Sequence, residues 1–154
     1  MSEEERGERV RELVSTVREA LGLDGEVEVS TEDSGIRVVL EGDDLGLFIG
    51  RHGQTIDAVQ HLAFKVANRD TERDAAVRVT VDAAGYRARR EQVLHRQAEQ
   101  AAESATRNGK PVALDAMNAS ERKIVHEFLK DREDVETYSE GTEPDRHLVV
   151  APLD

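Results

Sequence analysis

Apolar residues recur at three- and four-residue steps from Val10 through Leu13, Val14 and Val17 to Leu21. This spacing loads one face of an α-helix, predicts a helix over 4–22, and is ended by Gly22 and Gly25. The pattern then switches to strict alternation. "EVEVS" puts Val27 and Val29 on one face, "TEDSG" is turn chemistry, and "IRVVLEG" repeats the alternation at Ile36, Val38 and Leu40. A β-hairpin over 26–41 follows. Next come a short helical piece, Leu45 to Ile49, a glycine pair at Gly50 and Gly53, and a helix whose apolar face is Ile56, Val59, Leu62, Ala63 and Val66. "AVRVTVDA" alternates at Val77, Val79 and Val81, a third strand. The order of the first module is helix, strand, strand, helix, tight glycine turn, helix, strand.

A long helix from about Tyr86 to Asn108 then joins the halves, with Val93, Leu94, Ala98, Ala101, Ala102 and Ala105 as its stripe. Gly109 ends it, and "PVAL" suggests a short strand. Asn118 with Glu121 three residues on reads as an approximate capping box. Ile124, Val125, Phe128 and Leu129 form the buried face of the helix that follows. "VETYS" and "HLVVA" are expected to be closing strands around an "EGTEPD" turn. Asn68 to Asp74 and the two ends are the segments expected to move. No internal repeat or low-complexity tract interrupts the pattern.

Composition adds few constraints, and charge adds a puzzle. The 154 residues fit one domain or two small ones, and cysteine is absent, which excludes disulfides and thiolate metal sites. An aromatic share of 3% argues against a broad aromatic platform for bases. No apolar run approaches a membrane span, and "MSEEERGERVRELV" has no signal core, so a soluble cytoplasmic protein is expected. The net charge is −12, with 33 acidic against 21 basic side chains. That balance suits solubility and opposes an anionic partner, but binding depends on local patches. Gly85 to Lys123 holds eight basic against five acidic side chains, and Gly46 to Arg69 three against one. Positive charge gathers in those two segments.

The first segment holds "LFIGRHGQTIDAVQHLA". A helix start attracts anions through its unpaired N–H groups. Gly50 and Gly53 would let a phosphate approach without a Cβ in the way, and Arg51 and His52 would flank it. Gln54 and Thr55, in the first turn, add hydrogen-bonding side chains. A plain interhelix turn is the alternative, and the surrounding element order decides against it. That order, with this glycine turn in place, resembles a KH domain of the type II arrangement. The resemblance implies that Gly50, Arg51, His52 and Gly53 clamp the backbone of a single strand. Ile49, Ile56 and Val59 would lie near the bases or belong to the core.

In the second segment "ERKIVH" places Arg122 and His126 four apart, on one helix face. Alone, that pair is an ordinary solvated surface. The whole stretch "MNASERKIVHEFLKDREDVETYSEGTEPDRHLVVAP" is similar to the Arg-x-x-x-His single-strand-binding domain. That likeness implies that Arg122 and His126 contact phosphate or base and that Arg146 closes the same patch.

Both modules in this order, joined through "GYRARREQVL", resemble the bacterial Jag family, also called KhpB or EloR, over about residues 5–152. The implied fold is α+β. A type II KH domain over 1–84 is joined by a long helix to a small α/β Arg-x-x-x-His domain over 85–154, with a mostly antiparallel sheet. The resemblance implies single-stranded RNA as partner, a small KH-only protein as a second one, and a link to cell elongation, division or sporulation. It implies no cofactor and no metal. Many relatives carry a further N-terminal domain and linker, whereas this sequence opens on the first KH helix, so nothing of that domain is carried over. The family clamp often has two strongly basic residues, and His52 in place of one predicts weaker, salt- and pH-dependent binding.

Two rival classes remain beside this reading. For an enzyme there is no HExxH spacing, no P-loop and no GxGxxG after a strand, and His52, His61, His95, His126 and His147 are scattered. A protein-interaction adaptor without RNA affinity draws its support from the acidity. Against it, both candidate phosphate contacts keep their cations in the least acidic parts of the chain.

Overall fold

The structure, a computed structural model, describes residues 1–154, which divide into two compact units, Met1–Arg87 and Ala88–Asp154. The first unit opens with α1 (Glu3–Ala20). Ser2 caps it: its Oγ accepts from the Glu5 N–H at 3.1 Å, and its own N–H donates to Glu5 Oε2 at 2.8 Å. This reciprocal box satisfies two donors that a helix start leaves open. β1 (Glu26–Glu32) pairs antiparallel with β2 (Gly35–Glu41), with Val29 opposite Val38. β3 (Val79–Ala83) lies parallel to β2 with Val38 beside Val81, giving the sheet order β1-β2-β3. Between β2 and β3 come α2 (Gly46–Ile49), a 3₁₀ turn (Arg51–Gly53), α3 (Gln54–Ala67) and a second 3₁₀ turn (Arg73–Ala75).

The core of this unit is built from Val10 and Val14 of α1, Ile36, Val38 and Leu40 of β2, Phe48 of α2, Ile56 and Ala63 of α3, and Val81. β2 alternates buried and less buried positions, as its sequence alternates. Leu62 departs from expectation. The buried stripe of α3 is Ile56, Val59, Ala63 and Ala67, and Leu62, one position off that line, is 50% exposed. The third strand also begins two residues later than the valine pattern predicts, at Val79.

Asn68, at the start of a segment expected to move, is pinned. Its Nδ2 donates to the Phe64 and Val77 carbonyls at 3.0 and 2.9 Å, and its Oδ1 accepts from the Val77 N–H at 2.8 Å. Arg6, buried on α1, donates to Asn68 Oδ1 at 2.9 Å and to the Ala67 carbonyl at 3.2 Å. The end of α3 is thereby tied to α1.

α4 (Tyr86–Asn108) begins inside the first unit. Arg87 makes it fast there, donating to the Val81 carbonyl at 2.8 Å, to Asp57 Oδ1 at 3.0 Å and to Gln60 Oε1 at 3.0 Å. Its own N–H reaches Asp82 Oδ1 at 3.2 Å.

In the second unit Leu94, Ala98, Ala101 and Ala102 of α4 pack with Val125 and Leu129 of α5 (Ala119–Leu129). Small alanines let neighbouring elements approach closely. β4 (Val112–Ala113), β5 (Val135–Glu140) and β6 (His147–Pro152) form an antiparallel sheet of order β4-β6-β5 with Val150 fully buried at its middle. The Asn118 side chain caps α5, accepting from the Glu121 N–H at 2.9 Å. Glu121, nearly buried, is matched by Arg90 of α4 at 2.8 Å. Spacing puts Phe128 on the buried face of α5, but the residue is 41% exposed and stacks on His95.

Candidate nucleic-acid interface

The glycine turn takes its shape from two backbone conformations that side chains disfavour. Gly50 has φ 75° and ψ 175°, and Gly53 has φ 79° and ψ 14°. His52 between them is also left-handed, at φ 53°. A Cβ on Gly50 would run into the Thr55 side chain, and one on Gly53 would sit 2.8 Å from Tyr86 Oη. Both glycines therefore also have a role inside the turn. Their missing side chains make room for Thr55 and Tyr86, which brace the turn from within. Arg51 and His52 are exposed and form no ion pair or side-chain hydrogen bond within the chain. Gln54 is exposed beside them and Thr55 half-buried.

Ile56 and Val59, at 0% and 4% exposure, belong to the core and not to a base-facing surface, while Ile49 is half-buried. Leu47 on α2, just before the turn, is 64% exposed. No periodicity singles it out, because a four-residue helix is too short to show one.

In the second unit α5, β5 and the β5–β6 turn bring Arg122, His126 and Arg146 to one shallow groove of about 440 Å³. Lys123, Thr137, Tyr138 and Ser139 line it as well. The three named residues do not stand equally free. Arg122 is buried at 9% exposure, and donates to the Met117 carbonyl at 2.6 Å and to Glu143 Oε1 at 2.9 Å. Its guanidinium holds the "EP" turn against the start of α5, so a phosphate would have to compete with Glu143 for it. Arg146 donates to the Gly141 carbonyl at 2.7 Å, and His126 Nδ1 shares a hydrogen bond of 2.5 Å with Thr137 Oγ1. Lys123 is the exposed cation here with no ion pair in the chain. Lys123 and Tyr138, which is 45% exposed, are among the lining residues that the sequence reading did not single out. For Lys123 the signal was present, since it stands three before His126 on the same helix.

No helix is long and apolar enough to cross a membrane. Fold and sites together define a two-module protein, a type II KH unit followed by an Arg-x-x-x-His unit. The family model for the KH domain of KhpA/KhpB matches residues 8–81, and that for the Arg-x-x-x-His (R-three-H) domain matches residues 92–152. The chain is 36% identical over 131 residues to RNA-binding protein KhpB of Clostridium symbiosum, covering 85% of this chain and 58% of that protein. It is 37% identical over 139 residues to the protein of that name from Lactiplantibacillus plantarum, covering 90% and 42%. Against the Bacillus subtilis protein of the same name the figures are 33% over 140 residues, 90% and 66%. The chain belongs to the Jag (KhpB) family, and it spans between 42% and 66% of the length of these three relatives.

Proposed function

We propose that this protein binds single-stranded RNA without chemical turnover. The glycine turn grips the backbone through Arg51 and His52, with Gln54 and Thr55 beside them. The groove of the second unit takes further phosphates through Lys123, His126 and Arg146, and Arg122 holds that groove in shape. The observation that carries this reading is Arg51 and His52 at the turn, exposed and without internal partners, with His52 on left-handed backbone, in a chain of net charge −12. Exposed charge without an internal partner, beside a helix start, is the chemistry a phosphodiester needs. Relatives named RNA-binding protein KhpB support the same partner. In the cell the role is that of a post-transcriptional regulator or RNA chaperone serving elongation, division or sporulation in the cytoplasm, with a small KH-only protein as companion.

Titration of a labelled, unstructured single-stranded RNA tests this. Binding should fall with rising salt, and Arg51→Asp with His52→Asp should weaken it about equally for all sequences, since phosphate contacts carry no sequence information. Affinity that ignores both changes overturns the assignment. The net charge favours one other reading, an adaptor that binds protein alone, and an absence of any RNA binding at low salt would select it.

A further inference from the structure

A second groove, of about 510 Å³, lies between α4 and α5. Its lining includes His95, Ser120, Lys123, Ile124 and Phe128. At about 100° per residue, Arg122 and His126 face one flank of α5, while Ser120, Ile124 and Phe128 face the opposite one. Lys123 falls on the boundary and lines both grooves. The path between them runs over Lys123, half-way round a helix about 10–12 Å wide, a distance that a few successive nucleotides of one strand can span.

Each groove offers one exposed aromatic ring: Tyr138 in the first, and Phe128 in the second. Phe128 is stiffened by its neighbour, since the His95 ring stacks on it with centroids 4.2 Å apart and planes 8° from parallel. A fixed flat apolar face suits a nucleobase, which can stack on it whatever its identity. The acidic rim agrees with a base and opposes a phosphate. Glu91 lies 3.7 Å from His95 Nε2, and Glu127 is hydrogen-bonded by Lys130 at 2.9 Å. Carboxylates there accept from exocyclic amino groups while pushing the sugar–phosphate chain back toward Lys123.

We infer that the His95–Phe128 stack is a nucleobase subsite, filled by an unpaired base of the same strand whose phosphates follow Lys123, His126 and Arg146. This rests on the RNA-binding reading above. Aromatic ring resonances of the protein, followed during titration with an unstructured oligoribonucleotide, test it. Phe128 and His95 should shift together with His126. Phe128→Leu, which keeps an apolar side chain but removes the ring, should weaken RNA binding about tenfold. That loss should vanish for a uniformly abasic ribose–phosphate oligomer. Shifts at His52 and His126 with Phe128 and His95 unmoved overturn the subsite, leave RNA binding in place, and hand the groove to a protein partner. An equal loss on the abasic oligomer also overturns it, by making Phe128 merely structural. No shift anywhere overturns both readings. If Phe128→Leu fails to fold, the titration of the unaltered protein still decides.

Discussion

The glycine turn of the first unit and the α5 groove of the second each carry a motif of cations, and they use those cations in opposite ways. At the turn the glycines serve the interior, making room for Thr55 and Tyr86, and Arg51 and His52 are left outside without partners. In the groove the motif arginine serves the interior. Arg122 is held by the Met117 carbonyl and Glu143, and the free cation is its neighbour Lys123. A motif position therefore does not disclose whether its residue meets the ligand or supports the residue that does. Burial and internal partners separate the two cases.

The comparison breaks most sharply at Arg122. Arg122→Ala should destabilise the second unit by about 3 kcal/mol, since it removes a buried charged donor and leaves the Met117 carbonyl unpaired, while the exposed Glu143 returns to water at little cost. Chemical unfolding would show it, and an unchanged midpoint would make Arg122 a ligand contact like Arg51. Next in size is Gly50→Ala, which places a Cβ against Thr55 at a backbone angle few side chains adopt. It should cost about 2 kcal/mol, read as a lowered Tm. Arg51→Ala with His52→Ala should do the reverse of both. It should leave stability within about 0.5 kcal/mol while lowering RNA affinity and flattening its salt dependence. A loss of stability there would erase the contrast between the two regions. The smallest effect is at Asp134. Arg132, hydrogen-bonded to it at 2.9 and 2.8 Å, holds its carboxyl below the usual carboxylate range. The folded value is depressed, so the stabilisation is present above the unfolded value and disappears as pH falls through the folded one. The Tm gap between the wild type and Asp134→Asn should narrow as the solution is acidified through the carboxylate range.

Element types were legible wherever the period was clean. The alternation of Ile36, Val38 and Leu40 and the four-residue steps of Leu94, Ala98 and Ala102 each match a buried face. What failed was the edge of a stripe. Leu62 and Phe128 carry the right chemistry for burial, but they lie a fraction of a turn from the packed line, and only the neighbouring elements determine which side of that line is covered. The candidate site was legible as residue types and illegible as roles. Arg122 finds Glu143 and Gly53 finds Tyr86 across long stretches of chain, and such pairings leave no local trace in the sequence. Asn68 misled for the same reason: its four hydrogen bonds reach α1, α3 and the approach to β3, whereas its neighbours read as a loop.

The way α4 begins has a practical corollary for anyone who separates or shuffles these modules. Tyr86 lies against Gly53, and Arg87 gathers Asp57, Gln60 and Val81, so the last residues of the KH unit are already the opening residues of the connecting helix. A cut placed ahead of Tyr86, at the apparent end of the third strand, would remove the wedge beneath the clamp along with the pin that fastens α3. The isolated piece would then misreport its own affinity. Grafts that keep both residues preserve the grip.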